Sequence, residues 1–263
     1  MGIEEKIELL VRDSISSYLQ GELVYASQVL DHIFPRERRI RSIIGGLETS
    51  LGTKLWEKLA KLLASENGFE VLDEMEFNTN VPILPKELNY FISDFKERKD
   101  LDPTLSHDDY YIELVSFINN NDFSNIKYQK KIKKGQGVDV WLRKNNVEYI
   151  IDIKTVQLNA GAGDKCNANM LHWYAYNSLS KTTSNTKCLT AFPYNPHSPN
   201  DYWKKEKGKI SPLIPGNEAL VADEFWDFLY GKSNTTNLIY DVFKKLGKEN
   251  YADQFAHIFN SRN

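Results

Sequence analysis

The stretch GVDVWLRKNNVEYIIDIKT, residues 137–155, decides the fold. Val138 to Leu142 and Val147 to Thr155 are β-rich, and Lys144-Asn145-Asn146 between them is turn chemistry, so the two segments read as a hairpin. Side chains alternate across a strand. Glu148, Ile150, Asp152 and Lys154 therefore share one face, while Val147, Tyr149, Ile151 and Ile153 share the other, which is wholly apolar or aromatic and suits a core. Asp139 opens the first strand, so two carboxylates and an ammonium gather at one end of the hairpin. Two acids with a backbone carbonyl make a hard-oxygen site suited to Mg²⁺. A neighbouring lysine can position or deprotonate the attacking water and stabilise negative charge on phosphorus. Metal-assisted hydrolysis of a phosphodiester needs these parts.

An acid-x-Lys tripeptide alone is weakly specific, because Glu4-Glu5-Lys6 and Asp94-Phe95-Lys96 also carry it, both on segments that read as helices. Asp152-Ile153-Lys154 differs in ending a β-rich run, with an upstream Asp after a turn glycine at hairpin distance. The alternative is a charged pair at the frayed end of an edge strand. A third acid is available upstream. Glu48 extends the stripe of Leu51, Leu55, Leu59 and Leu62, and a carboxylate beside an apolar stripe is expensive unless paired or metal-bound. Glu57 lies on the polar side with Lys61, which leaves Glu48 the better candidate. An ordinary N-cap role for Glu48-Thr49-Ser50 stands beside it.

Outward from the centre, residues 3–19 place Ile3, Ile7, Leu10, Val11, Ile15 and Leu19 on one helical stripe. A second helical region starts near Pro35, and a third spans Leu51 to Ala64, stopped by Asn67-Gly68. Phe69 to Phe77 reads as a strand, Pro85 to Lys96 and Asp109 to Asn119 as helices, and Ile126 to Lys133 as a further β segment. After the hairpin come a helix from about Asp164 to Ser180 and a strand from Thr186 to Phe192. Residues 193–216 hold five of the nine prolines and read as a long ordered loop, and the chain is helical from Ala219 onward. The expectation is one α/β domain over residues 1–263. It has a mainly helical part (1–68), a catalytic core (69–195), and a loop with a helical C-terminal part (196–263).

Several function classes are excluded. No apolar run approaches the roughly 20 residues of a membrane span, and Glu4 and Glu5 stand where a secretion signal carries Lys or Arg, so a cytoplasmic location is expected. The two cysteines, Cys166 and Cys188, are expected as free thiols. The five histidines form no H-E-x-x-H, neither cysteine belongs to a zinc pair, and Walker A and G-x-S-x-G motifs are lacking. The net charge of −3 argues mildly against a passive nucleic-acid binder, but it conceals basic clusters at Arg36–Arg41, Lys127–Lys144 and Lys204–Lys209. Local basic stripes on an acidic chain can hold a polyanion in one cleft.

The order of a helix bearing Glu, then Gly-Val-Asp139-Val, then Ile-Ile-Asp152-Ile-Lys154, resembles the PD-(D/E)xK nuclease superfamily, with Val138 in place of the eponymous proline. The flanking stretches 37–70 and 152–175 look like the small type II restriction endonucleases, most like the subgroup cutting GGNCC-type sites. The resemblance covers roughly residues 36–195. It implies a restriction-endonuclease-like core, a central mixed β-sheet flanked by helices. Asp139 and Asp152 would then ligate Mg²⁺ with the Ile153 carbonyl, Lys154 would activate water, and Glu48 would complete or support the site. Hydrolysis would leave 5′-phosphate and 3′-hydroxyl ends on duplex DNA at a short palindromic or interrupted-palindromic sequence. A homodimer would read that palindrome, and a cognate methyltransferase would protect the host's own sites. Two alternatives share the core: a structure-specific repair nuclease, and a non-catalytic DNA-binding module. Intact Asp139, Asp152 and Lys154 speak against the last.

For DNA contacts, Gln157, Asn159, Lys165 and Asn167 after the hairpin carry groups suited to base edges, and Tyr194, Asn195 and Lys204 form a second set. Ordinary turn chemistry accounts for the same residue types. Lys130, Lys131, Lys133 and Lys134 suit phosphate contacts, which give affinity without sequence information.

Overall fold

The computed structural model describes residues 1–21, 23, 27–154, 158–180 and 184–260. In chain order the elements are α1 (Ile3–Leu19), α2 (Pro35–Leu51), α3 (Glu57–Glu66), β1 (Glu70–Leu72), α4 (Glu74–Asn78), β2 (Val81–Pro82), α5 (Lys86–Leu101) and α6 (His107–Asn119). There follow β3 (Tyr128–Gln129), β4 (Val140–Lys144), β5 (Val147–Ile153), α7 (Ala162–Leu179), β6 (Asn185–Phe192), α8 (Tyr202–Ile210), β7 (Ala219–Val221), α9 (Asp223–Tyr230), α10 (Thr235–Lys248) and α11 (Ala256–Asn260). They form two compact units, residues 1–60 with 232–263, and residues 61–231.

The first unit is helical. Ile7 and Val11 of the α1 stripe are fully buried, and Leu19 packs with Ile43 and Phe255. Helices α2 and α3 are joined by a π-turn at Gly52–Trp56 and not by a break. The buried Ser14 hydroxyl of α1 donates to the Lys54 carbonyl of that turn at 2.7 Å. An N-cap at Glu48-Thr49-Ser50 is therefore ruled out: Glu48 lies in the last turn of α2, and the Thr49 hydroxyl bonds back to the Gly45 carbonyl at 2.9 Å.

The second unit holds the expected mixed sheet, in the order β1-β4-β5-β6-β7. Strands β1, β4 and β5 pair antiparallel; β5, β6 and β7 pair parallel. The β4–β5 hairpin turns on Asn145 and Asn146, both at positive φ (50° and 61°), the conformation a tight hairpin turn needs and asparagine tolerates. β5 lies in the middle of the sheet, which removes the edge-strand reading of Asp152 and Lys154. Both of its faces are covered. Tyr149 meets the rings of Phe69 and Phe228, while Ile150 packs into the core formed with Met170, Trp173 and Tyr174 of α7.

Four expectations are corrected. Phe69–Phe77 is a three-residue strand followed by α4, because the Asp73 carboxylate caps the Met75 amide at 2.9 Å and starts a helix. Ile126–Lys133 shrinks to the two residues of β3, paired with β2. The proline-rich loop encloses α8, started by the Asp201 carboxylate accepting from the Trp203 amide at 2.8 Å. Ala219 begins a strand, β7, before the chain becomes helical. Among the described residues, no helix is long and apolar enough to cross a membrane.

Candidate active site

The β4–β5 register pairs Val140 with Ile151. The pairing ends there, and the Asp139 amide, just ahead of β4, also reaches the Ile151 carbonyl, donating at 3.1 Å. The Asp139 carboxylate Oδ2 accepts the Ile153 amide at 2.7 Å, which fixes it at the end of β5. Asp152 is 3% exposed and stands beside Thr190 of the parallel strand β6. The Lys154 ammonium lies 2.6 Å from both Asp152 oxygens, and the Lys154 amide donates to Ala191 at 2.9 Å.

Burial disfavours the Lys154 ammonium, but the Asp152 charge and hydrogen bond, with Cys166 and Asp139 nearby, outweigh it and hold the pKa above the ordinary lysine value. Lys154 is therefore a cation at neutral pH. Cys166 reaches this pocket from α7. Its thiol is pushed up by burial and then by the Asp152 charge, so it stays protonated and acts as a small apolar wall.

The donor set fits a hard divalent cation. Asp152 Oδ2 is buried and receives no well-directed hydrogen bond, although the Lys154 charge lies against it, which leaves a lone pair for a ligand. Among the described residues, no three His, Cys, Asp or Glu side chains converge into one metal-binding group. Glu48 is exposed on α2 and Glu57 half-buried at the start of α3, both in the first unit, whereas Asp139, Asp152 and Lys154 belong to the second.

The sequence profile of the family described as "Type II restriction endonuclease, HinfI" matches residues 2–247. The chain belongs to the HinfI family of type II restriction endonucleases. A relative, the type II restriction enzyme MjaII of Methanocaldococcus jannaschii, is 25% identical over 221 residues, 81% of this chain. The chain spans 56% of that relative's length. No solved structure matches it.

In this HinfI-family chain the basic run is built onto α7. Lys130, Lys131, Lys133 and Lys134 are exposed. The loop that follows them is held by Asn169, whose side-chain amide donates to the Gly135 carbonyl at 2.9 Å, and by the Trp173 indole, which donates to the Gln136 carbonyl at 2.6 Å. Gly135 sits at φ +81°, and the exposed Lys165 ammonium lies beside it. Lys165 and the 130–134 run therefore share one neighbourhood.

The other candidates separate. Asn159 and Lys204 are exposed, and Gln157 lies outside the described residues. Asn167 is corrected: it is fully buried, its oxygen 2.8 Å from His107 Nε2, and it has no path to a base edge. Tyr194 is half-buried in the loop after β6. Asn195 serves its own loop, accepting the His197 amide and donating to the Asn200 carbonyl, both at 2.8 Å. Sequence reasoning passed over Asn78 and Asn169, which shape the approach to Asp139; it read Trp173 as helix packing, and Trp173 is fully buried on α7. The helix reading Met170-Leu171-His172-Trp173-Tyr174-Ala175-Tyr176 is apolar nearly all round, which suits burial on several sides.

Proposed function

We propose that this chain is a Mg²⁺-dependent endonuclease that hydrolyses phosphodiester bonds of duplex DNA at a short palindromic or interrupted-palindromic site. One observation carries the reading: Asp139 and Asp152 meet at the end of β5, the Asp139 carboxylate on the Ile153 amide at 2.7 Å and the Lys154 ammonium 2.6 Å from Asp152. Asp139, Asp152 and the Ile153 carbonyl would hold the ion, which supplies Lewis-acid stabilisation of the charge developing on the attacked phosphate. Lys154, kept protonated by Asp152, orients the attacking water and adds positive charge beside the scissile phosphate. Asp152, seated on β5 and backed by β6, holds Lys154 in place. Exposed Lys130, Lys131, Lys133, Lys134 and Lys165 contact phosphates, with Asn159, Gln157, Tyr194, Asn195 and Lys204 as further contacts.

Family membership and the likeness to MjaII support restriction chemistry: 5′-phosphate and 3′-hydroxyl ends, a homodimer on a palindrome, a cytoplasmic setting and a partner methyltransferase for protection. The test is a digest of unmethylated phage DNA by purified protein, with Mg²⁺ and in parallel with Ca²⁺. Discrete fragments with Mg²⁺ alone support the reading, and sequencing the fragment ends gives the site and checks the GGNCC-type expectation. A smear replaces it with a non-specific nuclease. Neither cleavage nor Ca²⁺-dependent binding overturns it in favour of a non-catalytic DNA-binding module.

A further inference from the structure

Strand β1 flanks β4 only as far as Leu72, which pairs with Trp141. Beyond it, Asp73 caps α4 and the chain turns away, so β4 and its approach lose their partner on that side. On the opposite side the Asp139 amide is bound by β5, through the Ile151 carbonyl. Backbone groups alternate along a strand, so the N–H and C=O of the preceding residue, Val138, point toward the missing β1. Both are met by a single side chain. Asn78, the last residue of α4, donates from Nδ2 to the Val138 carbonyl at 3.1 Å and accepts the Val138 amide on Oδ1 at 3.0 Å. Its own backbone carbonyl accepts the Ile132 amide at 2.9 Å, next to the basic run. The neighbouring Gly137 fits closely, since an added Cβ would stand 3.4 Å from Asn78 Oδ1.

We infer that Asn78 is a positioning residue for the metal site: its side-chain amide takes the place of an absent strand and holds the backbone from which the Asp139 carboxylate projects. This rests on the metal-site reading above. The same residue ties the phosphate-contacting run, through Ile132, to the metal carboxylate. Asn is suited to the task because its amide presents one donor and one acceptor in the spacing of a peptide group. Aspartate keeps the acceptor and loses the donor; alanine loses both.

The test is Mn²⁺ titration of the full-length protein, read by loss of the free-ion EPR signal, with amide hydrogen exchange over residues 137–153. Asn78→Ala is expected to weaken Mn²⁺ binding roughly 10–100-fold, as for outer-shell partners of metal ligands, and to speed exchange at Asp139 and Ile153. Asn78→Asp should fall between it and the wild type. Asn89→Ala serves as the control. Asn89 makes a comparable clamp, donating to the Leu84 and Pro85 carbonyls at 2.9 and 3.0 Å at the start of α5, and its loss should leave Mn²⁺ binding unchanged. If Asn78→Ala does not fold, Asn78→Asp carries the test alone. Mn²⁺ affinity within twofold of wild type in the folded variant overturns the inference. A wild type that binds no Mn²⁺ overturns the metal reading. The exchange data then decide this inference by themselves: faster exchange sustains a positioning role for Asn78, and unchanged exchange removes it.

Discussion

Glu148 and Asp152 stand on the same face of β5, four residues apart, and both are almost fully buried, at 1% and 3% exposure. Their surroundings differ. Glu148 is saturated: it accepts from Arg143 Nη2 at 2.9 Å, Trp141 Nε1 at 3.2 Å and Asn177 Nδ2 at 3.0 Å. Asp152 has the Lys154 ammonium and one oxygen without a directed donor. A third buried acid, Glu218, resembles Glu148, since Lys99, the His107 amide and the Ile214 amide fill both of its oxygens. A buried carboxylate with every lone pair occupied holds a fold together. One left short of donors beside a cation is prepared for something that arrives later.

Substitutions at the three acids break or sharpen that contrast. The largest effect is expected at Asp152. Asp152→Ala should lower the cleavage rate at least ~10³-fold, and Asp139→Ala and Lys154→Ala should do the same, with duplex binding in Ca²⁺ retained. Full activity in any of these variants would falsify the site. Asp152→Asn should cost less stability than Glu218→Gln, because the Lys154 ammonium it leaves behind is partly exposed and regains water.

Glu218→Gln should lose no chemistry but cost about 3–5 kcal/mol of stability in urea titration, since it leaves the fully buried Lys99 without its anion. Glu148→Gln should cost less, about 1–3 kcal/mol, because Arg143 is partly exposed and regains water. Retained cleavage in both variants upholds the division, whereas a Glu148→Gln enzyme as inactive as Asp152→Ala would erase it.

The smallest effect concerns pH. Burial holds the His107 pKa below its ordinary value of 6.5, the nearby Glu218 charge opposing only in part. The folded state keeps this imidazole neutral while the unfolded chain protonates it. Stability is therefore full above about pH 6.5 and declines as pH falls below it, by no more than about 1.4 kcal/mol per pH unit for one group. Burial lowers His172 in the same way, so its contribution has the same sign. Urea midpoints at pH 7.5 and 5.5 should show the decline, and His107→Gln should remove part of it. An identical slope in that variant would assign the effect elsewhere.

How much of this was legible in the sequence depends on how local the cause is. The hairpin and its turn follow from alternation and from an Asn-Asn turn, all within 19 residues of sequence, and the Asp139 carboxylate reaches the end of β5 at the Ile153 amide. Helix α1 was legible to the residue for the same reason. Contacts at long range were not. Phe69–Phe77 alternates like a strand, and nothing local weighs the Asp73 cap against that pattern. Asn167 and Asn195 looked alike as polar residues in suggestive places, yet one is sealed against His107 and the other braces its own loop. The stripe from Glu48 to Leu62 assumed one unbroken α-period, and the π-turn at Gly52–Trp56 shifts the phase, so that Leu63 is fully buried and Leu62 is not.

The Asn-Asn turn also sets an order of assembly. A hairpin closed by two residues forms within about 1–10 μs. The salt bridge from Arg143 to Glu70 of β1 closes a span of 73 residues, and the Asn78 clamp on Val138 a span of 60. Closing a loop of that size in place of a two-residue turn costs about 3 kcal/mol more in chain entropy. Asp139 and Asp152 therefore meet early, on a ribbon that needs only its own turn, while their outer support arrives with the late docking of β1 and α4. During that interval the nascent protein carries its paired carboxylates without the brace that fixes them. Rate-limiting folding mutations are accordingly expected in the 73–137 excursion, far in sequence from the residues that would cut DNA.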